Sequence, residues 1–442
     1  MINKRIAFTI CARNYYGLAK VLKQSVLQHS PDVLFIIFVA DGIPASERLE
    51  FDPDAIDAVQ STAAYVEPSK LREMAFKYSL TEYCTAIKPF CFKHVFDHTD
   101  AQEVAYLDPD VFVFSPLDPV FAPLCDASIV LTPHIIYPSL FEGKRPDNGL
   151  LSTGVFNLGF LALKRSSTSQ TLLSWWGHRL LDQCFVDSHD ALFTDQKWMD
   201  FVPTLFPSRE VVSLRHGGTN MAPWNFHERF ISAGLGEDNY LVTRRGTERD
   251  TYDLTAESRP ADPLVFVHFS GFDYKKFCEG YVAQYNIDGL NLYPDLAPLI
   301  SGYMRAIQSL RETVLQFLGK PYAFGFFDDG VTILAFHRRL YRSAVESKMK
   351  FGDPFASTDG SFFDTLRRHA LLCADSSGAS FERSNKFNLT GIDRKLATFN
   401  RLMRLVKRLI GLQNYMLLLR LMRPYSRVES QLHLIDSSRN KL

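Results

Sequence analysis

The chain has 442 residues, of which 46% are hydrophobic and 22% are charged, a composition typical of a folded protein with a sizeable core. Its 49 basic and 49 acidic side chains cancel, which argues against a globally basic protein that binds nucleic acid. The 7 cysteines are scattered and form no CxxC pair, a pattern that favours reduced thiols.

The first residues contain an apolar run too short for the core of a signal peptide. No uncharged apolar stretch of the sequence reaches the roughly 18 residues that a spanning helix needs. We therefore expect a cytoplasmic protein that does not cross a membrane.

The N-terminal segment predicts an alternation of strand, helix and strand. Residues 5–11 and 33–40 are short, continuous apolar runs, and residues 17–29 have apolar side chains at helical spacing. A strand, a helix and a second strand within about 40 residues form a βαβ unit. The predicted fold class is therefore α/β, with a mostly parallel sheet covered by helices on both faces.

Further elements follow in chain order. Residues 81–96 predict a helix in which Pro89 marks a kink or break. Residues 104–114 are strand-like on both sides of an Asp-Pro-Asp interruption. We expect further strands over 155–163 and 264–269, and helices over 175–181 and 196–201.

The character of the chain changes after about residue 290. Helices are predicted over 291–318 and 331–345, a Ser/Gly-rich linker over 374–384, and one long amphipathic helix over 393–422. The sequence thus predicts an α/β domain over 1–290 and a mainly helical accessory region over 291–442.

Two carboxylates stand two residues apart at a predicted strand end, in Tyr106-Leu107-Asp108-Pro109-Asp110. Residues i and i+2 of an extended chain project to the same side, so Asp108 and Asp110 can converge on one cation. Oxygen ligands suit Mg²⁺ or Mn²⁺. The same pattern is also typical of a turn, because Asp and Pro favour turns.

A histidine ends another apolar run far downstream, in Val267-His268-Phe269-Ser270-Gly271. At a strand end its imidazole can add a nitrogen ligand to the same ion, although a lone histidine is more often a capped or surface group. Lys275 and Lys276 follow closely. They can neutralise a diphosphate leaving group, or they form a solvated basic pair.

Residues 4–278 resemble a GT-A type glycosyltransferase. They are similar to the bacterial lipopolysaccharide galactosyltransferase and glycogenin group and to enzymes of surface-polysaccharide clusters. The segments that carry the resemblance are CARNY (11–15), TAIKP (85–89), YLDPD (106–110) and HFSGFDYK (268–275). In the last segment, the lysine stands one residue later than in the family's HxxGxxK element.

The resemblance implies roles for individual residues. The metal ligands would be Asp108, Asp110 and His268, and Asp195 with Gln196 would face the reacting sugar as catalytic residues. The donor would be bound by Ala12, Arg13, Asn14, Asp41, Lys88, Asn157, Gly159, Gly271 and Lys275. Some of these residues have an equally simple structural interpretation: Asp195 as an acid at a helix start, and Asp41 as part of an Asp-Gly turn.

The resemblance implies a metal-dependent hexosyltransferase that uses a nucleoside diphosphate sugar, expected to be a UDP-sugar, and retains the anomeric configuration. The acceptor would be a saccharide or a lipid-linked molecule in surface-polysaccharide synthesis. Two alternatives stay open. A sugar-nucleotide pyrophosphorylase would carry a Gly-rich first loop, where this chain has Cys11-Ala12-Arg13-Asn14. A non-catalytic binding scaffold would not need the set Asp108, Asp110 and His268.

The segment from Asp393 to Arg423 is strongly basic in a neutral chain. Its basic residues are Arg394, Lys395, Arg401, Arg404, Lys407, Arg408, Arg420 and Arg423, against Asp393 alone. A basic amphipathic helix of this kind is typical of peripheral contact with the inner face of a membrane. It is equally typical of a helix that packs on the enzyme or on a second subunit.

Overall fold

The computed structural model describes residues 5–137, 147–235, 239–245, 260–286, 289–373 and 391–436. The linker expected at 374–384 lies outside the described residues. The strands are β1 (Arg5–Cys11), β2 (Leu34–Val39), β3 (Ile56–Asp57), β4 (Glu103–Leu107), β5 (Val111–Val113), β6 (Ile129–Pro133), β7 (Phe156–Lys164), β8 (Val186–Asp187), β9 (Leu192–Phe193), β10 (Val211–Ser213), β11 (Arg229–Ala233), β12 (Tyr240–Arg244), β13 (Asp262–Pro263) and β14 (Phe266–His268). The α-helices are α1 (Tyr16–His29), α2 (Ala58–Thr62), α3 (Pro68–Lys77), α4 (Leu80–Ala86), α5 (Lys88–His98), α6 (Asp118–Phe121), α7 (Asp147–Thr153), α8 (Ser167–Leu180), α9 (Val202–Leu205), α10 (Tyr274–Cys278), α11 (Ala297–Ser309), α12 (Arg311–Leu318), α13 (Ala335–Glu346), α14 (Phe362–Arg368) and α15 (Ile392–Tyr425).

A seven-stranded sheet with the order β10-β6-β7-β4-β1-β2-β3 forms the centre of the fold. Neighbouring strands are parallel except around β7, which runs antiparallel to both β4 and β6. The predicted class, a mixed and mostly parallel α/β sheet flanked by helices with a mainly helical C-terminal region, is confirmed.

The first βαβ unit forms where the apolar pattern predicts it. Strands β1 and β2 are buried almost throughout, as expected for continuous apolar runs inside a parallel sheet. Helix α1 buries one stripe of side chains, which includes Leu18, Val21, Leu22 and Val26.

Two predicted elements are divided in the structure. The helix predicted over 81–96 breaks at Ile87 into α4 and α5, and Pro89 lies in the first turn of α5, so the expected break is confirmed. The segment 104–114 forms two strands that belong to different sheets. Strand β4 pairs with β1 and β7, whereas β5 pairs with β14.

The chain divides into two compact units. The first unit comprises Met1–Glu67 and Leu80–Tyr322, and the second comprises Pro68–Ser79 and Ala323–Leu442. Residues 291–322 therefore belong with the α/β sheet, beyond the boundary expected at 290. The physical reason is that α11 and α12 bury apolar side chains, such as Tyr303 and Val314, in the core of the first unit.

The second unit is held together by aromatic and polar contacts. The ring of Phe76 on α3 lies edge-on to the rings of Tyr341, Phe355 and Phe362. The guanidinium of Arg338 donates hydrogen bonds to the carbonyls of Ala75, Phe76 and Tyr78. Among the described residues, no helix has the length and apolar composition required to cross a membrane.

Candidate active site

Strand register places the Asp108–Asp110 segment beside β7. Leu107 at the end of β4 pairs with Phe160, so the following residue, Asp108, lies next to Gly159. The backbone N–H of Asp108 donates to the carbonyl of Gly159 at 2.9 Å. Because β7 runs antiparallel to β4, its N-terminal half lies at the sheet edge where β4 ends.

The pairing of β14 with β5 places His268 at the same edge of the sheet. His268 is the last residue of β14 and pairs with Val111, the first residue of β5. The backbone N–H of Phe269 donates to the carbonyl of Asp110 at 2.9 Å. The imidazole is therefore placed beside the two carboxylates by backbone pairing between distant parts of the chain.

The side chains of Asp108, Asp110 and His268 converge, and their ligand atoms lie within 4.8 Å of one another. His268 Nε2 lies 3.1 Å from Asp110 Oδ1 and 3.6 Å from Asp108 Oδ2. Two carboxylates and one imidazole are a donor set that suits a divalent cation such as Mn²⁺ or Mg²⁺. The residues present thus fit a metal site.

Two tyrosines orient the carboxylates. The hydroxyl of Tyr106 donates to Asp108 Oδ1, and that of Tyr274 contacts Asp110 Oδ2 at 3.1 Å and the carbonyl of Phe269 at 2.9 Å. Burial raises the pKa of both tyrosines well above the ordinary value, so their hydroxyls stay protonated at neutral pH.

The charges of Asp110 and His268 stabilise each other. Burial by itself would raise the pKa of Asp110, but the facing imidazole and the Tyr274 hydroxyl outweigh it and lower this pKa below the ordinary value. Burial likewise lowers the pKa of His268, and Asp110 outweighs it, so the pKa of His268 is raised. A bound cation would replace the proton that this arrangement favours.

The imidazole of His268 is fixed by its neighbours. It lies so close to Gly159 that a Cβ atom there would stand 2.4 Å from His268 Nδ1. The ring of Trp224 lies edge-on at 5.1 Å between centroids, with 88° between the planes. Only glycine at position 159 leaves room for this imidazole orientation.

The cluster opens into a cavity of about 690 Å³ at the carboxyl edge of the sheet. This is the edge at which open α/β sheets bind ligands, and the volume suits a sugar nucleotide-sized molecule. Its lining includes ten of the residues predicted from the sequence: Ala12, Asn14, Lys88, Asp108, Asp110, Asn157, Gly159, Asp195, Gln196 and His268.

A buried ion pair lies in the cavity wall. Lys88 Nζ is 2.6 Å from Asp195 Oδ2, and both side chains are at most 2% exposed. Lys88 also donates to the carbonyl of Leu158 at 2.8 Å and lies 4.1 Å from the ring centroid of Tyr106. Burial raises the pKa of Asp195, while the charge of Lys88 acts in the opposite direction.

The amide side chains of Gln196 and Asn157 are held by hydrogen bonds. Gln196 Nε2 donates to the carbonyl of Thr153 at 2.8 Å, and its Oε1 accepts from the N–H of Leu158 at 3.3 Å. Asn157 Oδ1 accepts from the N–H of Gly159 at 3.0 Å and from Asn220 Nδ2 at 3.1 Å. These amides therefore shape the cavity wall.

The other predicted donor-binding residues lie outside the described lining of the cavity. Arg13 and Asp41 pair with each other: the Arg13 N–H donates to Asp41 Oδ1 at 2.8 Å, and Arg13 Nε lies 3.4 Å from Oδ2. Gly271 has a φ of +78° and packs its backbone on the side chain of Asn286. Lys275 is exposed on α10.

The sequence analysis did not assign roles to Tyr106 or Tyr274, and it did not predict the contact between Asn220 and Asn157. The signal for Tyr106 is its position two residues before Asp108, which places both side chains on one side of an extended chain. Tyr274 reaches Asp110 only because α10 folds back after β14, and Asn220 meets Asn157 across 63 positions. No local pattern in the sequence indicates these two contacts.

Solved structures similar to this chain include several glycosyltransferases, the class of enzyme that the sequence resembles. The galactosyltransferase LgtC, in complex with donor and acceptor sugar analogues, is 16% identical, with 69% of this chain and 95% of that chain covered and a TM-score of 0.38. Mouse xyloside xylosyltransferase 1 is 14% identical, with 50% and 89% covered and a TM-score of 0.32. At these identities and TM-scores, the likeness shows neither substrate nor activity for this chain.

Two similar proteins of Bacillus subtilis (strain 168) are uncharacterized. The chain is 29% identical to YfnF over 194 residues, which are 43% of this chain and 57% of YfnF. It is 27% identical to YfnD over 268 residues, which are 60% of this chain and 76% of YfnD. The match thus spans little more than half the length of YfnF. No model of a known protein family matches the chain.

Proposed function

We propose that this protein is a metal-dependent glycosyltransferase that moves a sugar from a nucleoside diphosphate, such as UDP, to a saccharide or lipid-linked acceptor. One observation carries the proposal: Asp108, Asp110 and His268 converge within 4.8 Å in the wall of a cavity of about 690 Å³. The resemblance of the sequence motifs to surface-polysaccharide enzymes supports the choice of substrates.

Each part of the site has a role in this reaction. Asp108, Asp110 and His268 would hold Mn²⁺ or Mg²⁺, which would supply positive charge to stabilise the diphosphate leaving group. Tyr106 and Tyr274 keep the carboxylates in position through hydrogen bonds. Asn14 and Ala12, at the end of β1, lie on the part of the lining that would bind the nucleoside.

The carboxylates of the cavity favour retention of the anomeric configuration. An inverting enzyme needs a carboxylate that acts as a base on the face opposite the leaving group. Among the described residues that line the cavity, the acidic ones are Asp108, Asp110 and Asp195. The first two belong to the proposed metal site, and Asp195 is paired with Lys88 at 2.6 Å. Attack on the same face as the leaving phosphate requires no further base.

The test is a screen of nucleotide sugars for hydrolysis and transfer with Mn²⁺, Mg²⁺ or EDTA, with the product configuration determined by NMR. We expect turnover of at least one donor, no turnover in EDTA, and a loss of about a hundredfold or more in Asp110→Asn, because the cation contributes several kcal/mol to the transition state.

The matched control is Asp32→Asn, which makes the same change at an exposed position far along the sequence from the site. Full activity of Asp110→Asn, or turnover undiminished by EDTA, would overturn the metal-dependent mechanism. Synthesis of a sugar nucleotide from a nucleoside triphosphate and a sugar 1-phosphate, with no sugar transfer, would instead identify a pyrophosphorylase.

A further inference from the structure

Helix α15 of the second unit exposes its apolar side chains. None of its residues is buried, although it is 34 residues long. Thirteen of its large hydrophobic side chains are exposed by 37% to 76%, and they are Leu396, Phe399, Leu402, Leu405, Leu409, Ile410, Leu412, Met416, Leu417, Leu419, Leu421, Met422 and Tyr425. Exposed apolar surface on this scale marks an interaction site.

Apart from Asp393 in its first turn, the charged residues of α15 are all basic. The sequence contains no acidic residue between Arg394 and Tyr425. Up to Gly411, basic side chains such as Arg401, Arg404 and Arg408 recur at helical spacing on the side opposite Phe399 and Ile410. The first part of the helix is thus amphipathic, with one basic face and one apolar face.

The helix bends in its middle. Gly411 has φ of 78° and ψ of 167°, a conformation that only glycine adopts readily. The bend creates a cleft of about 390 Å³ lined by Asn400, Met403, Arg404 and Lys407 before it and by Tyr415 after it. Two positively charged side chains, Arg404 and Lys407, and two other hydrogen-bonding side chains, Asn400 and Tyr415, therefore surround a concave space between apolar segments.

We propose that α15 binds the surface of an anionic lipid bilayer, with its apolar side chains among the acyl chains and a lipid phosphate group in the cleft at Gly411. Arg404, Lys407 and the Tyr415 hydroxyl supply donors that match phosphate oxygens. The proposal concerns the second unit and does not depend on the proposed glycosyltransferase activity.

Charge complementarity favours a bilayer over a second copy of this helix. Two copies of α15 that pair through their apolar faces would form no ion pair across the contact, because neither copy offers an acidic residue between Arg394 and Tyr425. An anionic lipid surface attracts the same basic residues and also accepts the apolar ones.

The test uses the full chain and sedimentation with vesicles of phosphatidylcholine alone or with 30% phosphatidylglycerol added. We expect binding to the anionic vesicles, weaker binding as salt is raised, and little binding to phosphatidylcholine alone. Equal binding to both vesicles, or binding to neither, would overturn the proposal.

Two double variants with the same change in charge test the cleft. We expect Arg404→Gln with Lys407→Gln to lower the vesicle affinity about tenfold or more, since it removes the phosphate donors as well as two charges. Arg420→Gln with Arg423→Gln removes two charges outside the cleft and should lower it less. Equal losses in the two variants would show that the cleft binds no headgroup.

A variant of the apolar face distinguishes the bilayer from a second subunit. Leu405→Ser with Leu409→Ser should abolish vesicle binding while the mass in solution, measured by light scattering, stays that of the unchanged protein. Conversion of a dimer to a monomer with unchanged vesicle binding would assign this face to self-association and overturn the proposal. Circular dichroism of each variant shows whether the helix is retained.

Discussion

The contact between His268 and Gly159 makes a backbone position part of the proposed metal site. A methyl group at position 159 would stand 2.4 Å from His268 Nδ1, 2.5 Å from its Cε1 and 2.8 Å from Asn157 Oδ1. These distances are far below van der Waals contact, so an added methyl group would displace the imidazole from its position beside Asp108 and Asp110. The glycine therefore determines where the nitrogen ligand points.

Gly159→Ala should weaken Mn²⁺ binding by about 10- to 100-fold, the effect usual when the support of a metal ligand is lost. Isothermal titration calorimetry measures the change. Gly149→Ala is the matched control, since a Cβ there meets no heavy atom within 4 Å. An unchanged affinity in Gly159→Ala would show that His268 does not ligate the ion in this orientation.

Lys88 and Asp195 should stabilise the folded protein only when both side chains are present. Lys88→Met or Asp195→Asn leaves the partner charge buried and unpaired, so we expect each to cost about 3–5 kcal/mol of the free energy of unfolding. The double variant should lose much less than the sum of the two. Denaturant unfolding measures all three, and strictly additive losses would contradict a direct interaction.

At the scale of single residues, the sequence predicts those site residues that lie at the ends of strands. Asp108, Asp110 and His268 could be predicted to meet because each follows or ends an apolar strand. The pairing of Lys88 with Asp195 could not be predicted, because it depends on how α5 and the segment after β9 pack together across more than a hundred positions. Arg13 and Asp41 were expected to contact the donor, and in the structure they contact each other.

Helix α1 packs its N-terminal turn directly on α12. A Cβ at Gly17 would stand 2.6 Å from the Cα atom of Val314, so the two backbones approach closely at this point. This contact is one reason why residues 311–318 belong to the first unit. Small residues permit such close approach between helices, and a larger one forces the helices apart.

Gly17→Ala should destabilise the protein by about 1–3 kcal/mol, although alanine is the better helix former, because a backbone atom cannot move aside as a side chain can. Gly319→Ala is the control, since a Cβ atom added there would lie 3.5 Å or more from its nearest heavy atoms. A gain in stability for Gly17→Ala in thermal unfolding would refute the close packing of α1 on α12.

The elements that were predicted well are those whose pattern is local. The continuous apolar runs of β1 and β2 predict buried strands. The helical spacing of apolar side chains in α1 predicts a helix with one buried stripe. The segment 104–114 is strand-like on both sides of Asp108, Pro109 and Asp110, but the sequence does not indicate that β5 leaves the central sheet and pairs with β14. That partner is set by tertiary packing, which no local pattern encodes.

All proposed metal ligands lie in the first unit, and α15 lies in the second. Ligands that bind only the folded state stabilise it in proportion to the logarithm of their concentration. A divalent cation should therefore act on the unfolding of one unit, and the other unit serves as an internal reference.

We expect Mn²⁺ at a hundred times its dissociation constant to stabilise the first unit by about 2.7 kcal/mol and to leave the second unit unchanged. Scanning calorimetry with and without EDTA measures both, and Asp110→Asn should show no shift. A Mn²⁺-dependent shift that persists in Asp110→Asn would mean that the cation binds elsewhere.

The pairing of β5 with β14 joins segments that are far apart in the sequence: Tyr274 follows Asp110 by 164 positions. Contacts between segments so far apart in the sequence form slowly, because the loop between them must be closed first. We therefore expect the complete set of proposed ligands to come together late in folding. A cation bound there would act after the rate-limiting barrier to folding. It would then retard unfolding without accelerating folding, and so extend the lifetime of the native protein rather than guide its formation.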